Sequence, residues 1–407
     1  MKLLQINAVY GYGSTGVIVK TIHELALSKG FQSYVAYSKT RTPEKDIING
    51  YKIGNNFGKK LHAVLYRIGG KQAYFSRFST LKLLFHIKRI KPDIVSLHNL
   101  HSNYINLNML LKFLAKNDIK TVLTMHDCWF YTGGCFHYSQ IGCNKWQMKC
   151  GNCPKKNADL KARFFETSDK TLRDRKKYLS AIKNLTCIGV SKWITGELKK
   201  SILKDKHIVT IENGIDTSFF TPTESDFRTK FHLEDKFLIL GLASKYFNPV
   251  NKETFDFVVN SMTKDDVLVL VGCTPKQLEL LPENVLGLPF INDRDEMRRI
   301  FSACDVFANC SREDTLSIIN IEAQACGTPV VVYKATALPE SICDGETGYV
   351  VECGDASCFV DKVYEVKRHT KTYYHDKCVD FVEKNYNAEN NFFKVLKLFE
   401  DIMNNEE

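Results

Sequence analysis

The sequence predicts an α/β protein built from two doubly wound, parallel-sheet domains. Short apolar runs alternate with amphipathic stretches along the whole chain, which is the pattern of strands covered on both faces by helices. The pattern restarts after NGIDTSFFTP. At 407 residues the chain also exceeds what a single hydrophobic core usually holds. The first domain is expected over residues 1–190, the second over 191–385, and a terminal helix over 386–407 that packs back on the first domain.

Ahead of NGIDTSFFTP the strands read as KLLQINA from Lys2, SYVAYSK from Ser33, DIVSLHN from Asp93, TVLTMHD from Thr121, LTCIGVS from Leu185 and HIVTIEN from His207. VIVKTIHELALSK and LNMLLKFLAK carry helical periodicity between them. In the second domain FLILGLAS, DVLVLVG, NVLGLPF, DVFANCS and PVVVYK are strands, while KETFDFVVNSM and RDEMRRIFSAC are helices. AENNFFKVLKLFEDIMN closes the chain as an amphipathic helix.

Composition narrows the function. With 44% hydrophobic and 25% charged residues, disorder is excluded. A formal charge of +10 fits an anionic partner such as a phosphorylated small molecule or an acidic membrane surface. No known nucleic-acid motif accompanies the charge, so nucleic acid is not expected. The opening MKLLQINAVYGYG reads as a first strand, not a signal peptide, since Gln5 and Asn7 interrupt its apolar run. A cytoplasmic protein is expected, with its 14 cysteines serving as thiols or metal ligands.

Ligands of open α/β sheets bind beyond the carboxyl ends of the strands. That rule selects His98 and Asn99, His126 and Asp127, and the loop from Ser311 to Asp314. Trp129 and Tyr131 can stack on a sugar ring or belong to the core, and Asp127 can orient His126 or bind a sugar hydroxyl. VYGYGSTG follows the first strand, with Gly11, Gly13 and Gly16 forming either a phosphate loop or a tight turn. It lacks a Walker lysine, and no acidic residue ends the second strand as a dinucleotide site requires. In SREDTLSIINIEAQACGTPVV, Asp314 lies in the loop after a buried strand and Glu322 inside the following helix. Between them the N–H groups near Leu316 to Ile318, at a helix start around Ser317, can hold a phosphate. Two acceptors flanking an N–H cradle suit a nucleotide sugar. The competing reading pairs a buried Glu with a base.

These motifs resemble those of retaining GT-B glycosyltransferases of family 4. Asp314 and Glu322 resemble the E-x7-E signature, with Asp in place of the first Glu. GVSKWITGELKK with IENGIDTSFFTP resembles the linker motif, and GSTG, HNLHSNYIN and HDCWFYTGGC resemble the subgroup that builds colanic acid and other surface polysaccharides. The resemblance implies a GT-B fold with two Rossmann-like domains facing across a cleft. It implies transfer of a sugar from a UDP- or GDP-sugar, with retention, to a glycan or polyprenyl-diphosphate-linked acceptor. It needs no catalytic cofactor, and it places the enzyme at the inner face of the plasma membrane. Glu322 would hold the ribose and Asp314 the donor sugar. Lys252 and Lys245 would face the diphosphate, Gly13 and Gly16 would let their loop close over it, and His126 would lie near the transferring sugar. Leu316 and Ser317 complete the donor side; His98, Asn99, Asp127 and Trp129 form the acceptor side. The usual arginine of the diphosphate loop is absent, and Lys252 is followed by Glu253 instead of Gly. A non-catalytic sugar-binding subunit and a nucleotide-sugar epimerase are the alternatives.

Two stretches stand apart. In the insert over 128–153, Cys135, Cys143, Cys150 and Cys153 form a candidate structural zinc quartet, with His137 as an alternative ligand; the other reading is free thiols. From Lys59 to Lys91 the chain carries many cations, several aromatics and no acid. This is either a patch facing an anionic membrane or a solvated helix face over core aromatics.

Overall fold

The computed structural model describes residues 1–161 and 163–404. The chain divides into two compact units, Met1–Asn213 joined by the segment from Glu389, and Gly214–Ala388.

The first unit runs β1 (Lys2–Tyr10), α1 (Gly13–Ser28), β2 (Gln32–Thr40), β3 (Gly50–Lys52), α2 (Asn56–Gly69), α3 (Arg77–Ile90), β4 (Ile94–Leu97), α4 (Leu107–Lys116), β5 (Lys120–Met125), α5 (Ser168–Ser180), β6 (Leu185–Gly189), α6 (Lys192–Leu198) and β7 (His207–Thr210). Its seven strands lie in the order β3-β2-β1-β4-β5-β6-β7, all parallel. β4, β5 and β6 are buried along their whole length, as expected of strands covered on both faces. The expected division at 190/191 falls inside this sheet, because β7 pairs with β6 from Thr186↔His207 onward. The apolar run of β7 needed a neighbouring strand, and the first sheet supplies it.

The second unit runs α7 (Phe227–Lys230), β8 (Phe237–Leu242), α8 (Ala243–Tyr246), α9 (Lys252–Ser261), β9 (Asp266–Val271), α10 (Pro275–Leu278), β10 (Val285–Leu288), α11 (Arg294–Ala303), β11 (Val306–Asn309), α12 (Ile318–Ala325), β12 (Val330–Tyr333), β13 (Gly348–Val351) and α13 (Ala356–Tyr386). Its six strands take the order β10-β9-β8-β11-β12-β13. Helix α13 breaks at Thr370, where φ is +65°. Just past the break, the buried Lys371 ammonium donates to the carbonyls of Phe301, Ser302 and Cys304 at 3.3, 2.7 and 2.8 Å. A cation on the last carbonyls of α11 satisfies acceptors that the helix cannot.

The final helix, α14 (Ala388–Asn404), belongs with the first unit. It buries Phe392, Val395, Leu396 and Phe399, and its Ile402 carbonyl accepts the Lys120 ammonium at 3.1 Å.

A buried amide cluster fastens α12 to β11. Asn309 Nδ2 donates to Asn320 Oδ1 at 2.7 Å and to Ser317 Oγ at 3.3 Å, and Asn320 Nδ2 donates to Ser341 Oγ at 2.8 Å. Gln324 Nε2 bridges the Asn320 and Ser341 carbonyls at 2.9 and 2.7 Å. Replacing Asn320 with Ala removes the shorter of the two acceptors of the Asn309 amide and the donor to Ser341 Oγ in a dry interior. Urea unfolding of that variant is expected to show a loss of about 2–4 kcal/mol; a loss below about 0.5 kcal/mol would mean the cluster does not hold the helix.

Candidate functional site

Both sheets reverse their strand order at one place, between β1 and β4 and between β8 and β11. Loops leaving the carboxyl ends of such neighbouring strands diverge and open a crevice. The expected site residues cluster at these two places.

In the second unit, β8 leads into α8, which carries Lys245, and β11 leads into the loop from Ser311 to Ser317. Buried Asn251 ties the two together. Its Nδ2 donates to the Lys245 carbonyl at 3.0 Å, and its Oδ1 accepts Arg312 Nε at 2.9 Å. Two cations therefore meet at the switch point. Burial pushes the Cys310 thiol up to about 12, while Lys245 and Arg312 both act to lower it. The Lys245 ammonium and the two Nη groups of Arg312 make no hydrogen bond or ion pair with the described residues. Arg312 was not singled out in the sequence, because it lies in the acidic loop and not in the loop that usually carries the cation. Lys252 sits differently. It is 75% exposed on its side chain and is ion-paired with Asp256 one turn along α9.

The acidic pair divides in two. Asp314 Oδ1 accepts the Thr315 N–H at 2.8 Å and the Leu316 N–H at 3.4 Å, and the Asp314 N–H is held by Thr336 Oγ1 at 2.8 Å. The Ile318 N–H turns back to the Leu316 carbonyl at 3.0 Å. The expected N–H cradle from Leu316 to Ile318 is thus mostly closed from within. The Ser317 N–H alone of the three lacks a partner among the described residues. Ser317 precedes α12 without a side-chain cap, since its hydroxyl accepts from Asn309 instead. The carboxylate of Glu322, one turn into α12, makes no hydrogen bond or salt bridge to any described residue. Burial raises its carboxyl from 4.5 to about 7, offset in part by the charge of Arg294. The expected basic partner for a structural Glu is therefore not in contact.

In the first unit, Gly11 and Gly13 take φ of +75° and +63°, and the Gly11 N–H donates to the Gly16 carbonyl at 2.9 Å. A Cβ on Gly16 would stand 3.0 Å from Val9 Cγ2. The loop is a tight turn in which Gly11 and Gly13 are favoured by their left-handed backbone and Gly16 by the close approach of Val9. Asn7, fully buried in β1, joins it to the end of β4: its Nδ2 donates to the Val9 and Thr15 carbonyls, and its Oδ1 accepts the Asn99 N–H at 3.0 Å. The Asn99 side chain is left without a partner among the described residues.

His98 and His126 end neighbouring strands and bond to each other, Nδ1 to Nε2 at 3.0 Å, with rings stacked 5.3 Å apart. Burial drives His126 down to about 4, and burial together with His126 lowers His98. Both imidazoles are neutral at pH 7. His98 is 1% exposed, so its ring offers almost no surface for the expected acceptor contact. Asp127 does not orient His126. Its Oδ2 meets His101 Nε2 at 3.1 Å, and its Oδ1 accepts the Trp129 N–H at 2.8 Å. Burial would raise the Asp127 carboxyl, but His101 and the Trp129 N–H outweigh it and hold it below its ordinary value.

Trp129 is no sugar platform. It is fully buried, its indole N–H is bonded to Gln72 Oε1, and the Arg175 guanidinium lies 3.8 Å over its ring. Stacking by a ligand would require displacing Arg175, which also donates to the Trp129 and Thr132 carbonyls. Tyr131 is likewise fully buried.

The cysteines of the insert do converge. Cys135, Cys143, Cys150 and Cys153 line one void of about 20 Å³ beside Trp146. Burial pushes Cys135 up to about 12 and Cys150 up to about 11. Among the described residues, however, no three His, Cys, Asp or Glu side chains are drawn together into a metal-ligand set.

Comparison with known proteins agrees with this geometry. Residues 15–219 match the model of Glycosyltransferase Family 4, and residues 246–368 match that of Glycosyl transferases group 1. The chain is 22% identical over 356 residues to a colanic acid biosynthesis glycosyl transferase, WcaC, of Escherichia coli K12, covering 84% of this chain and 85% of that relative. It is 28% identical over 163 residues, 36% of each chain, to a D-inositol 3-phosphate glycosyltransferase of Mycobacterium sp. strain JLS. Among solved structures, sucrose-phosphate synthase of Thermosynechococcus elongatus superposes with a TM-score of 0.71 at 14% identity over 99% of both chains. Anabaena HepE, solved in complex with UDP-glucose, superposes with a TM-score of 0.67 at 14% identity over 98% of this chain and 100% of that one. The two parallel sheets are those of the GT-B fold, and the chain belongs to glycosyltransferase family 4.

Proposed function

We propose that this glycosyltransferase moves a sugar from a nucleotide-sugar donor, with retention, to a glycan acceptor carried on a polyprenyl diphosphate, in the assembly of a bacterial surface polysaccharide. The observation that carries the donor reading is the unpartnered Glu322 carboxylate beside a strand-order reversal where Lys245 and Arg312 converge. The names of two similar proteins support surface-polysaccharide assembly and a nucleotide-sugar donor, one assigned to colanic acid biosynthesis and one solved with UDP-glucose.

In this reading Glu322 accepts hydrogen bonds from the ribose hydroxyls. Two hydroxyl donors favour the ionised carboxylate that the apoprotein disfavours. As the bond between the anomeric carbon and the β-phosphate oxygen breaks, its electron pair passes to the diphosphate. Lys245 and the two Nη groups of Arg312 stabilise that charge, already oriented before the reaction. The acceptor hydroxyl oxygen bonds to the anomeric carbon and gives up its proton to the departing diphosphate. Asp314 meets the donor sugar through Oδ2, since Oδ1 is committed to its own loop. In the first unit, neutral His126 is held by His98. Asn99 serves the acceptor. Lys252 contributes after exchanging Asp256 for phosphate.

Three outcomes test this. Calorimetric titration with UDP and GDP is expected to show one of them binding. Glu322→Gln should weaken that diphosphate and the intact donor alike, by roughly 1.5–3 kcal/mol, whereas Asp314→Asn should spare the diphosphate and lower turnover. If neither variant changes any affinity, the acidic pair is structural. Turnover below detection with intact donor binding would favour a non-catalytic sugar-binding subunit.

The pH dependence has a definite sign. The Glu322 pKa is raised on folding from 4.5 to about 7, so its contribution to stability is present below pH 4.5 and lost as pH rises through about 7. Glu322→Gln should therefore melt progressively higher than the parent as pH goes from 5 to 8. Diphosphate affinity of the parent should rise more steeply over the same interval than that of the variant, in which only ionisation of the terminal phosphate remains; parallel pH profiles would contradict the assignment.

Arg312→Gln keeps a polar side chain and removes the charge. It should weaken the nucleoside diphosphate about 10- to 100-fold and the parent nucleoside far less. Equal losses for both ligands would move Arg312 out of the diphosphate site.

A further inference from the structure

The turn that follows β12 carries a strained residue. Thr336 has φ of +50°, and among the described non-glycine residues with positive φ only Thr336 and Thr370 are β-branched. Thr370 marks the break in α13. A β-branched side chain crowds its own backbone in the left-handed region, so such a residue persists only where its surroundings hold it there. Ala337 follows at φ −91° and ψ 3°, and the Leu338 N–H closes back on the Ala335 carbonyl at 3.1 Å. Positive φ at the first central position and negative φ at the second is the pattern of a type II′ turn, whose first central residue is normally Gly.

The turn grips Asp314. Thr336 Oγ1 accepts the Asp314 N–H at 2.8 Å, and the Ala337 N–H donates to the Asp314 carbonyl at 3.3 Å. The peptide groups on both sides of the Asp314 Cα are thus clamped by two consecutive residues of a distant loop. The carboxylate is anchored as well, through Oδ1 to the Thr315 and Leu316 N–H groups. With the main chain and Oδ1 fixed, Oδ2 has one direction left. The far side of the turn is tied down too: Ser341 Oγ, a member of the buried amide cluster, donates to the Leu338 carbonyl at 2.7 Å. The buried frame therefore reaches Asp314 through this turn. Gly at position 336 would fit the backbone without strain, but it would offer Asp314 no hydroxyl.

We infer that Thr336 is a positioning residue for Asp314: its hydroxyl, held over the acidic loop in a turn that a β-branched residue otherwise avoids, aims Asp314 Oδ2 at the donor sugar. Thr336 acts through Asp314 and not on the diphosphate. A short side chain has few torsions with which to correct a displaced main chain, and misplacement by about 1 Å is enough to cost roughly 100-fold in rate. This rests on the reading of Asp314 as a donor-sugar contact and deepens it by naming what sets its direction.

The test combines hydrogen exchange of the free protein with donor turnover. Thr336→Val keeps the branched side chain and removes the hydroxyl, whereas Thr336→Ser keeps the hydroxyl. Thr336→Val should speed exchange of the Asp314, Thr315 and Leu316 amides by about tenfold or more and leave β11 as in the parent; Thr336→Ser should match the parent throughout. Turnover is read as diphosphate released from UDP-glucose, UDP-galactose, UDP-N-acetylglucosamine and GDP-mannose. Per folded molecule, Thr336→Val should lower kcat by about tenfold or more and Thr336→Ser by less than about threefold, with affinity for UDP and GDP within about twofold of the parent in both. On an Asp314→Ala background, Thr336→Val should change kcat by less than about twofold, because no carboxylate is left to aim. Parental exchange of the three amides in Thr336→Val overturns the positioning whichever donor is used. Undiminished kcat in Asp314→Ala would remove the donor-sugar reading and this proposal with it. Where Asp314→Ala does lower kcat, the positioning alone is overturned by parental turnover in Thr336→Val. It is also overturned if the Thr336→Val effect persists at full size on the Asp314→Ala background, which would place the hydroxyl on the ligand itself.

Discussion

The buried amide cluster of Asn309, Asn320, Gln324 and Ser341 is the constraint on which the donor side depends. β11 ends at Asn309, α12 carries Asn320 and Gln324, and Ser341 closes the turn before β13. Satisfied polar groups in a dry interior lock register more tightly than apolar contacts, because any slip leaves a donor or acceptor unpaired. Asn309 Oδ1 also accepts the Ser311 N–H at 3.1 Å, which starts the acidic loop in a fixed direction. Asp314 and Glu322 are therefore set against one frame. Glu322 can remain unpartnered because the helix beneath it is held by its neighbours.

Cations are distributed by a similar logic. Arg228 is committed to Asp305 and to four carbonyl oxygens, and Lys371 to three carbonyls. These side chains close strand and helix ends and have no capacity left for a ligand. Lys245 and Arg312 differ in keeping donors unspent, with Asn251 fixing the backbone of one and the Nε of the other. A buried amide that orients a guanidinium while leaving its fork open is a arrangement suited to bidentate recognition of phosphate oxygens.

The cysteine-rich insert is organised by Arg175. This fully buried guanidinium reaches from α5 to the Trp129 and Thr132 carbonyls and covers the Trp129 ring. Burial pulls it down to about 10, so it stays charged at neutral pH. Among the described residues from Cys128 to Thr167 there is no α-helix or strand, only short 3₁₀ turns, so this long irregular path relies on such internal anchors. The thiol-lined void beside Trp146 is a second one.

Much of this molecule is legible in the sequence by itself. Apolar runs such as IVSL and TVLTM could pack only as doubly covered parallel strands, and their alternation with amphipathic helices left two doubly wound sheets as the architecture. The acidic pair, the glycine turn and the strand-end histidines followed from the rule that ligands sit beyond carboxyl ends. Short edge strands such as Gly50–Lys52 escaped, because three residues carry too little periodicity to read. What tertiary structure alone decided was which of these groups are available. Trp129 and His98 are the right residue types in the right place, yet packing closed them off. Asp127 chose His101 over His126, because distance in space, not in sequence, sets electrostatic pairing. Arg312 became a candidate for the missing diphosphate cation only when the β8–β11 pairing brought its loop beside Lys245. The same holds for α2: periodicity shows that a helix has an apolar stripe, and only the packed structure shows that the stripe faces outward.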